Sequence, residues 1–150
     1  MQRHVKAATG LRNIQSVSMQ MANTPLDDIF RSIGEDVSGI LSTMPVPLET
    51  ADPPNTLGVY ILRVENEVMY VGEAKGSKGL RDRLLSKHIS GDDNHAVQRA
   101  FKEDFPDRQL RRAHIKKTVF AQWREIEHPD RVSAVERTLI WMFSPPWNRK

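Results

Sequence analysis

Two short apolar segments near the middle of the chain decide its fold: Gly58–Val64, which reads GVYILRV, and Val68–Gly72, which reads VMYVG. Both are rich in β-branched and aromatic residues, which favour strands. The polar run Glu65–Glu67 between them suits a tight turn better than a continuing strand. The pattern therefore predicts a β-hairpin. In a simple register Tyr60 and Tyr70 come from paired strands, and we expect their hydroxyls to point to a common place.

A basic segment follows the hairpin directly. Residues 76–79 (GSKG) are predicted to form a loop, and residues 80–89 a helix that a Ser-Gly pair ends. This helix carries Arg81 and Arg83. Guanidinium groups match the geometry of phosphate oxygens. A hairpin that offers two phenols beside a helix that offers arginines therefore suits a phosphate-bearing ligand.

The first third of the chain is predicted to form an extension. Residues 1–23 show no sustained hydrophobic period, and we expect them to be weakly ordered. A Thr-Pro pair followed by two aspartates then marks a helix start, and apolar residues at three- and four-residue steps predict an amphipathic helix over residues 25–42. Four prolines within residues 45–54 indicate a linker. We therefore divide the chain into an N-terminal extension, 1–54, and a main domain, 55–150.

The pattern after the basic segment predicts three further elements. A helix is expected over about 94–104, a third strand within 110–123, and a last helix over about 130–143. The resulting order is β-β-α-α-β-α. It predicts an α+β fold, with a small three-stranded antiparallel sheet flanked by helices.

The composition is that of an ordinary globular protein, with 39% hydrophobic and 27% charged residues among 150. No apolar run approaches the ~18 residues needed to cross a bilayer, and no secretory signal follows the first residues. Cysteine is absent, which excludes disulfides and thiolate metal sites and fits a cytoplasmic location.

The charge is uneven along the chain. Residues 1–72 carry 5 Lys and Arg against 8 Asp and Glu, whereas residues 73–150 carry 17 against 11. A basic surface that begins after the hairpin would attract a polyphosphate. The alternative interpretation of this charge is a set of solvated helix faces.

The tripeptides Gly58-Val59-Tyr60 and Tyr70-Val71-Gly72 resemble the two signature motifs of the GIY-YIG nucleases. Further parts follow in the family's order: an arginine on the helix after the second strand, a glutamate on a late helix and an asparagine near the chain end. The residues that match them are Arg83, Glu136 and Asn148. The resemblance covers about residues 56–150. It implies a GIY-YIG-like α+β domain and metal-dependent cleavage of DNA.

The resemblance also implies a role for each of these residues. Tyr60 would act as the general base or orient the attacking water, and Tyr70 would position the phosphate or the water. Arg83 would bind a non-bridging phosphate oxygen. Glu136 would hold Mg²⁺ or Mn²⁺, with waters and substrate oxygens completing the coordination shell. Asn148 would orient the site by hydrogen bonds.

Two positions depart from the family pattern. Many members have a lysine directly after the second tripeptide, where this chain has Glu73, with Lys75 two residues later. Some members have a histidine four residues after the catalytic arginine, where this chain has Lys87. His88 follows one residue later, about 100° further around an α-helix. It is a secondary candidate for the catalytic set, and it matches only if either the helix geometry or the choice of arginine is adjusted.

The expected nucleic-acid-binding residues are Lys75, Lys78, Arg81 and Lys87. Arg81 is also a rival of Arg83 for the scissile phosphate, since two residues apart means a different helix face. The expected partner is double-stranded or branched DNA, with a homodimer through helix 25–42 and no membrane. Two alternatives stay open: a nucleic-acid-binding module of the same fold without cleavage, and a toxin or restriction-type nuclease that acts with a partner.

Overall fold

The computed structural model describes residues 23–148, which contain a four-stranded antiparallel sheet. The strands are β1 (Val46–Pro47), β2 (Gly58–Val64), β3 (Glu67–Ala74) and β4 (Val119–Glu125), in the order β1-β4-β2-β3. β2 and β3 form the predicted hairpin, and Glu65 in its turn has a φ of 56°. The expectation of weak order for residues 1–23 concerns a segment that, except for Asn23, lies outside the described residues.

Helices cover both faces of the sheet. They are α1 (Pro25–Leu41), α2 (Gly79–Arg81), α3 (His88–Ser90), α4 (Ala96–Phe101), α5 (Arg108–Thr118) and α6 (Pro129–Phe143). A π-helical turn, Asp82–Lys87, joins α2 to α3 without a break, and we call residues 79–90 the basic helix. Within residues 23–148, no helix has the length and apolar character that crossing a membrane requires.

The sheet separates two hydrophobic cores, because successive residues of a strand point to opposite faces. Tyr60 and Leu62 pack in the first core, with side chains from the basic helix, α4 and α5. Val59 and Ile61 pack in the second core, with α1 and α6. The central strand β2 is thus buried on both faces, which explains its almost continuous apolar sequence.

Helix α1 packs on the sheet through its C-terminal half. Val37 and Ile40 are buried in the second core. Asp36 is 3% exposed, and its carboxylate pairs with Arg124 of β4 at 2.7 Å and with Arg131 of α6 at 2.8 Å. A buried carboxylate requires such partners. The pairs therefore fix the helix against both elements.

The α+β class is confirmed, and two elements differ in detail from the sequence prediction. β1 adds a fourth strand within the predicted linker; Pro47 is tolerated there because β1 lies at the edge of the sheet. α5 occupies the start of the region predicted as a strand, so β4 begins only at Val119. Arg111 faces the interior and is 1% exposed. Because a charged residue occupies an inward position, α5 lacks the regular apolar pattern that predicts a helix from sequence.

Candidate active site

Tyr60 and Tyr70 lie side by side on one face of the hairpin. Their ring centroids are 6.1 Å apart. Tyr60 is 2% exposed and pairs across the strands with Gly72. A Cβ atom at Gly72 would collide with the ring of Tyr60, so only glycine lets this ring lie across β3. The glycine of the second tripeptide thus sets the position of the tyrosine of the first.

His88 completes this aromatic group. Its Nε2 lies 2.7 Å from the Tyr60 hydroxyl, and its ring stands edge-on to Tyr60 and Tyr70 at centroid distances of 5.4 and 5.3 Å. The π-helical turn makes this contact possible, since the backbone N–H of His88 donates to the carbonyl oxygen of Arg83, five residues earlier. The π-helical turn thus lets His88 contact Tyr60 although it follows Arg83 by five residues.

Burial keeps both partners of the Tyr60–His88 contact neutral. Burial is the main reason that the pKa of Tyr60 lies well above its usual value, and the neighbouring Tyr70 raises it further. Burial likewise lowers the pKa of His88 to about 3, and His95 and Arg83 add to the effect. At neutral pH the pair is therefore a phenol and an uncharged imidazole, joined by one hydrogen bond.

Of the two rival arginines, Arg83 is the one near the tyrosines. Its positive charge lowers the pKa of Tyr60 and Tyr70, in each case against the larger raising effect of burial. Arg81 points to another part of the molecule, where it pairs with the carboxylate of Asp52 and donates to the carbonyl oxygen of Pro53. Of these two guanidinium groups, that of Arg83 is thus the one available to a phosphate at the tyrosines.

Glu136 reaches the site from α6, and its side chain is 15% exposed. Burial raises the pKa of its carboxyl, and the negative charge of Glu73 raises it further, whereas Arg137 and Lys75 oppose the shift. Glu136 in turn raises the pKa of Tyr60 and Tyr70. α6 packs on the face of β3 opposite the tyrosines. The carboxylate of Glu136 therefore acts on the two tyrosines around the outer edge of this strand.

Glu73, which stands where many GIY-YIG nucleases have a lysine, is held in a polar cluster with two partners. Its carboxylate pairs with Lys75 at 3.1 Å and accepts a hydrogen bond from the Ser133 hydroxyl at 2.8 Å. The Lys75 ammonium also donates to Ser133 at 2.8 Å. Glu73 thereby holds the Lys75 side chain against α6.

Asn148 closes the outer edge of β3. Its Oδ1 accepts from the Val71 N–H and its Nδ2 donates to the Val71 carbonyl oxygen, both at 2.8 Å. The side-chain amide thus replaces a neighbouring strand for one residue of the edge. Because Val71 lies between Tyr70 and Gly72, this clamp fixes the backbone that carries both.

Gln98 is a positioning residue that the sequence did not indicate. It is 1% exposed, and its Nε2 donates to the carbonyl oxygens of His88 and Ile89, at 2.9 and 2.8 Å. Its Oε1 accepts from the buried Arg111 at 2.9 Å. The last carbonyl groups of the basic helix are satisfied in this way. A glutamine in a short helix carries no sequence signal for such a role.

The donor set suits a weakly held hard cation. Among the described residues, no group of three or more His, Asp or Glu side chains is arranged to hold a metal ion. Glu136 is nevertheless a half-buried carboxylate with a second negative charge, Glu73, close enough to raise its pKa. A cation beside it would relieve that repulsion. Mg²⁺ keeps several waters and is often bound by one or two carboxylates plus substrate phosphates, so the residues present fit it.

The structure therefore brings together most of the residues singled out from the sequence. Those around the outer edge of β3 are Tyr60, Tyr70, Arg83, His88, Glu136 and Asn148. Lys78 and Lys87 line a cavity beside Arg83. Arg81 and Lys75 are held by carboxylates, as described above.

No family model matches the chain, and no curated protein matches its sequence. Among solved structures, the chain is similar to the GIY-YIG N-terminal endonuclease domain of UvrC from Thermotoga maritima. This domain appears in two crystal structures, each of a tyrosine-to-phenylalanine point mutant bound to its catalytic divalent cation. The sequence identities are 17% and 16%, and the TM-score is 0.44 in both comparisons. The match covers 83% of this chain and 98% of that domain.

Proposed function

We propose that this chain is a divalent-metal-dependent DNA endonuclease of the GIY-YIG type. The observation that carries the proposal is the contact between the Tyr60 hydroxyl and His88 Nε2 at 2.7 Å. The charges of Arg83 and Glu136 lie close enough to this contact to shift the pKa of Tyr60. Hydrolysis of a phosphodiester needs an activated water, stabilised charge on the phosphoryl oxygens and a protonated leaving oxygen. These residues offer groups for the first two needs, and solvent supplies the proton of the leaving oxygen.

Tyr60 and His88 would activate the water as a pair. Because burial raises the pKa of Tyr60, the neutral phenol is a poor base by itself. In the tautomer that carries its proton on Nδ1, His88 accepts the phenolic proton at Nε2, while the Tyr60 oxygen takes a proton from the water. The water oxygen then bonds to phosphorus as the bond to the leaving oxygen breaks, and the leaving oxygen takes a proton from solvent.

A bound phosphate would make this transfer easier. Burial is the main cause of the low pKa of His88, and His95 and then Arg83 lower it further, the latter because two positive charges near each other repel. When Arg83 binds a phosphate oxygen, the negative charge of the substrate offsets this repulsion. His88 therefore becomes a better proton acceptor when substrate is present.

Tyr70 would position the phosphate beside Tyr60, and Asn148 would keep the Tyr70 backbone in place through Val71. Glu136 would hold Mg²⁺ or Mn²⁺, which supplies, when bound, charge neutralisation at the phosphoryl oxygens and an acidic water. The predicted cytoplasmic location is part of the same proposal.

A second copy of the chain is the partner we propose for cutting both strands of a duplex, since one site cuts one strand. The N-terminal half of α1 leaves Leu26, Ile29 and Phe30 57%, 56% and 63% exposed. Asp28 and Arg31 lie beside them, so the face carries both signs of charge. In a two-fold dimer the same face of both copies meets, so the exposed apolar side chains of one copy would pack on those of the other.

The test is cleavage of supercoiled plasmid and of a branched duplex, with Mg²⁺, with Mn²⁺ and with chelator. Glu136→Gln and Tyr60→Phe are compared with Glu127→Gln, a matched change at an exposed position before α6. We expect metal-dependent cleavage that Glu136→Gln reduces by about 100-fold or more, with Glu127→Gln unaffected. Equal cleavage by Glu136→Gln would overturn the metal assignment. Salt-sensitive DNA binding without cleavage in any metal would instead favour the non-cleaving binding module.

A further inference from the structure

An open cavity of about 260 Å³ lies directly beside the candidate active site. The loop after β3, the basic helix and the residue before α4 form its walls. The side chains that matter for its chemistry are Lys78, Asp82, Arg83, Lys87 and His95. Arg83 lines this cavity and also lowers the pKa of both tyrosines, so the cavity adjoins the candidate active site.

The cations of this cavity have no carboxylate partner. Among residues 23–148, no ion pair or hydrogen bond links the Lys78, Arg83 or Lys87 side chain to another group. Asp82 is the one acidic side chain in the lining and forms no close pair with them. Converging like charges without neutralisation repel each other and do not stabilise the fold. They suit an anion that enters from solvent.

Two other basic residues that the sequence suggested for DNA binding are, in contrast, already paired with carboxylates. Arg81 pairs with Asp52, and Lys75 pairs with Glu73. Two of the four lysines and arginines that the sequence suggested for DNA therefore stay unpaired, and both lie in the same cavity.

The backbone N–H groups at the start of the basic helix do not supply the binding in this cavity. Those of Gly79, Leu80 and Arg81 donate to the carbonyl oxygens of Gly76, Thr56 and Pro54. They are therefore not free to cradle an anion, as they would be in a phosphate-binding loop. The long cationic side chains remain as binding groups, and they suit a backbone phosphate on an extended strand.

We propose that this cavity binds the backbone phosphate next to the scissile phosphate on the cleaved DNA strand. Arg83 lies at the junction of the two positions, and Lys78 and Lys87 bind the neighbouring phosphate. The proposal rests on the proposed nuclease function and adds a second phosphate position to the same site. It also gives the direction of the bound strand, from the tyrosines across Arg83 towards the loop 76–79.

The test measures the salt dependence of duplex DNA binding in the Glu136→Gln background, where no cleavage interferes. Lys78→Gln and Lys87→Gln are compared with Lys116→Gln, which removes the same charge from exposed α5, beside β1 at the opposite edge of the sheet. The Lys78→Gln/Lys87→Gln double variant should reduce the slope of log K against log salt by about 0.9, the value for one duplex phosphate contact, and each single variant should reduce it by less. Lys116→Gln should leave the slope unchanged.

A second arm identifies the phosphate. An uncharged methylphosphonate replaces the phosphate next to the mapped cleavage position, and binding is compared with that of unmodified DNA. We expect the replacement to weaken binding by the starting protein and to have much less effect on the Lys78→Gln/Lys87→Gln double variant. Equal effects on both proteins, or unchanged salt slopes in a chain that cleaves DNA, would overturn the inference alone. A chain that neither binds nor cleaves DNA would overturn the proposed function as well.

Discussion

The backbone N–H of His88 donates to the carbonyl oxygen of Arg83, five residues earlier, and this bond places both side chains beside Tyr60. In a regular α-helix a five-residue step would turn the second side chain by roughly 140° from the first. The wider π-helical turn Asp82–Lys87 removes most of that rotation. Such turns often occur at functional sites. Here the turn brings the His88 side chain into contact with Tyr60.

Deletion of Ser86 tests this relationship. The side chain of Ser86 is exposed and lies within the π-helical turn. Without it, His88 would follow Arg83 by four residues, which is the spacing of one face of an α-helix. We expect the deletion variant to fold and to cleave DNA at a rate within about tenfold of that of the unmodified chain. This corresponds to a rise of at most about 1.4 kcal/mol in the activation free energy. His88→Gln is the control, and a deletion as harmful as His88→Gln would contradict the role of the π-helical turn.

The sequence predicts the hairpin and α6 well because their signals are local. Alternating and helical periodicities directly report which side chains are buried, and Glu136 could be placed at the polar edge of the α6 stripe. The π-helical turn leaves no such trace. It changes a backbone hydrogen-bond partner without changing the apolar pattern, so the sequence does not show that His88 lies beside Tyr60.

The choice between Arg81 and Arg83 could not be made from the sequence either. Both lie on the same helix with similar neighbours. The choice depends on Asp52, which is 29 residues before Arg81 and comes close to it only in the folded chain. The same holds for Gln98, whose two acceptors belong to a different helix. Long-range polar contacts of this kind have no periodic signature.

His88 should make the stability of the protein depend on pH. Its pKa is lowered by burial from the usual 6.5 to about 3. Below pH 6.5 this histidine binds a proton in the unfolded chain but stays neutral in the folded chain. Its neutral form therefore contributes fully to the stability above pH 6.5, and this contribution is lost as the pH falls towards 3. Between pH 7 and pH 5 this one group should cost about 2 kcal/mol.

The measurement is urea unfolding of the unmodified chain and of His88→Gln at both pH values. Glutamine does not titrate, so the variant should lose about 2 kcal/mol less than the unmodified chain on acidification. All other titrating groups are common to both proteins and cancel in the comparison. Identical losses would show that His88 takes up its proton in the folded state near its ordinary pKa.

Asn148 should control the backbone of β3 at Val71. Asn148→Ala removes both hydrogen bonds to Val71, and we expect it to destabilise the protein by roughly 1–3 kcal/mol. Amide hydrogen exchange at Val71 should become faster, because its N–H is then open to solvent at the sheet edge. Asn148→Asp is the matched variant, since a carboxylate can accept from the Val71 N–H but cannot donate to its carbonyl oxygen. Unchanged exchange at Val71 in Asn148→Ala would contradict the clamp.

The exposed half of α1 should govern self-association. Phe30 is 63% exposed, so Phe30→Glu should leave the folded monomer intact and place a charge in the proposed dimer interface. Two copies of Phe30 enter a two-fold interface, and each buried phenylalanine contributes about 1.5–3 kcal/mol, so the dimer dissociation constant should rise by roughly a hundredfold or more. Sedimentation velocity over a range of concentrations, with and without DNA, measures this change. Leu110→Glu is the matched control, because Leu110 is 65% exposed on α5 and lies outside the proposed interface. If the unmodified chain sediments as a monomer under every condition, the face of α1 does not join two copies.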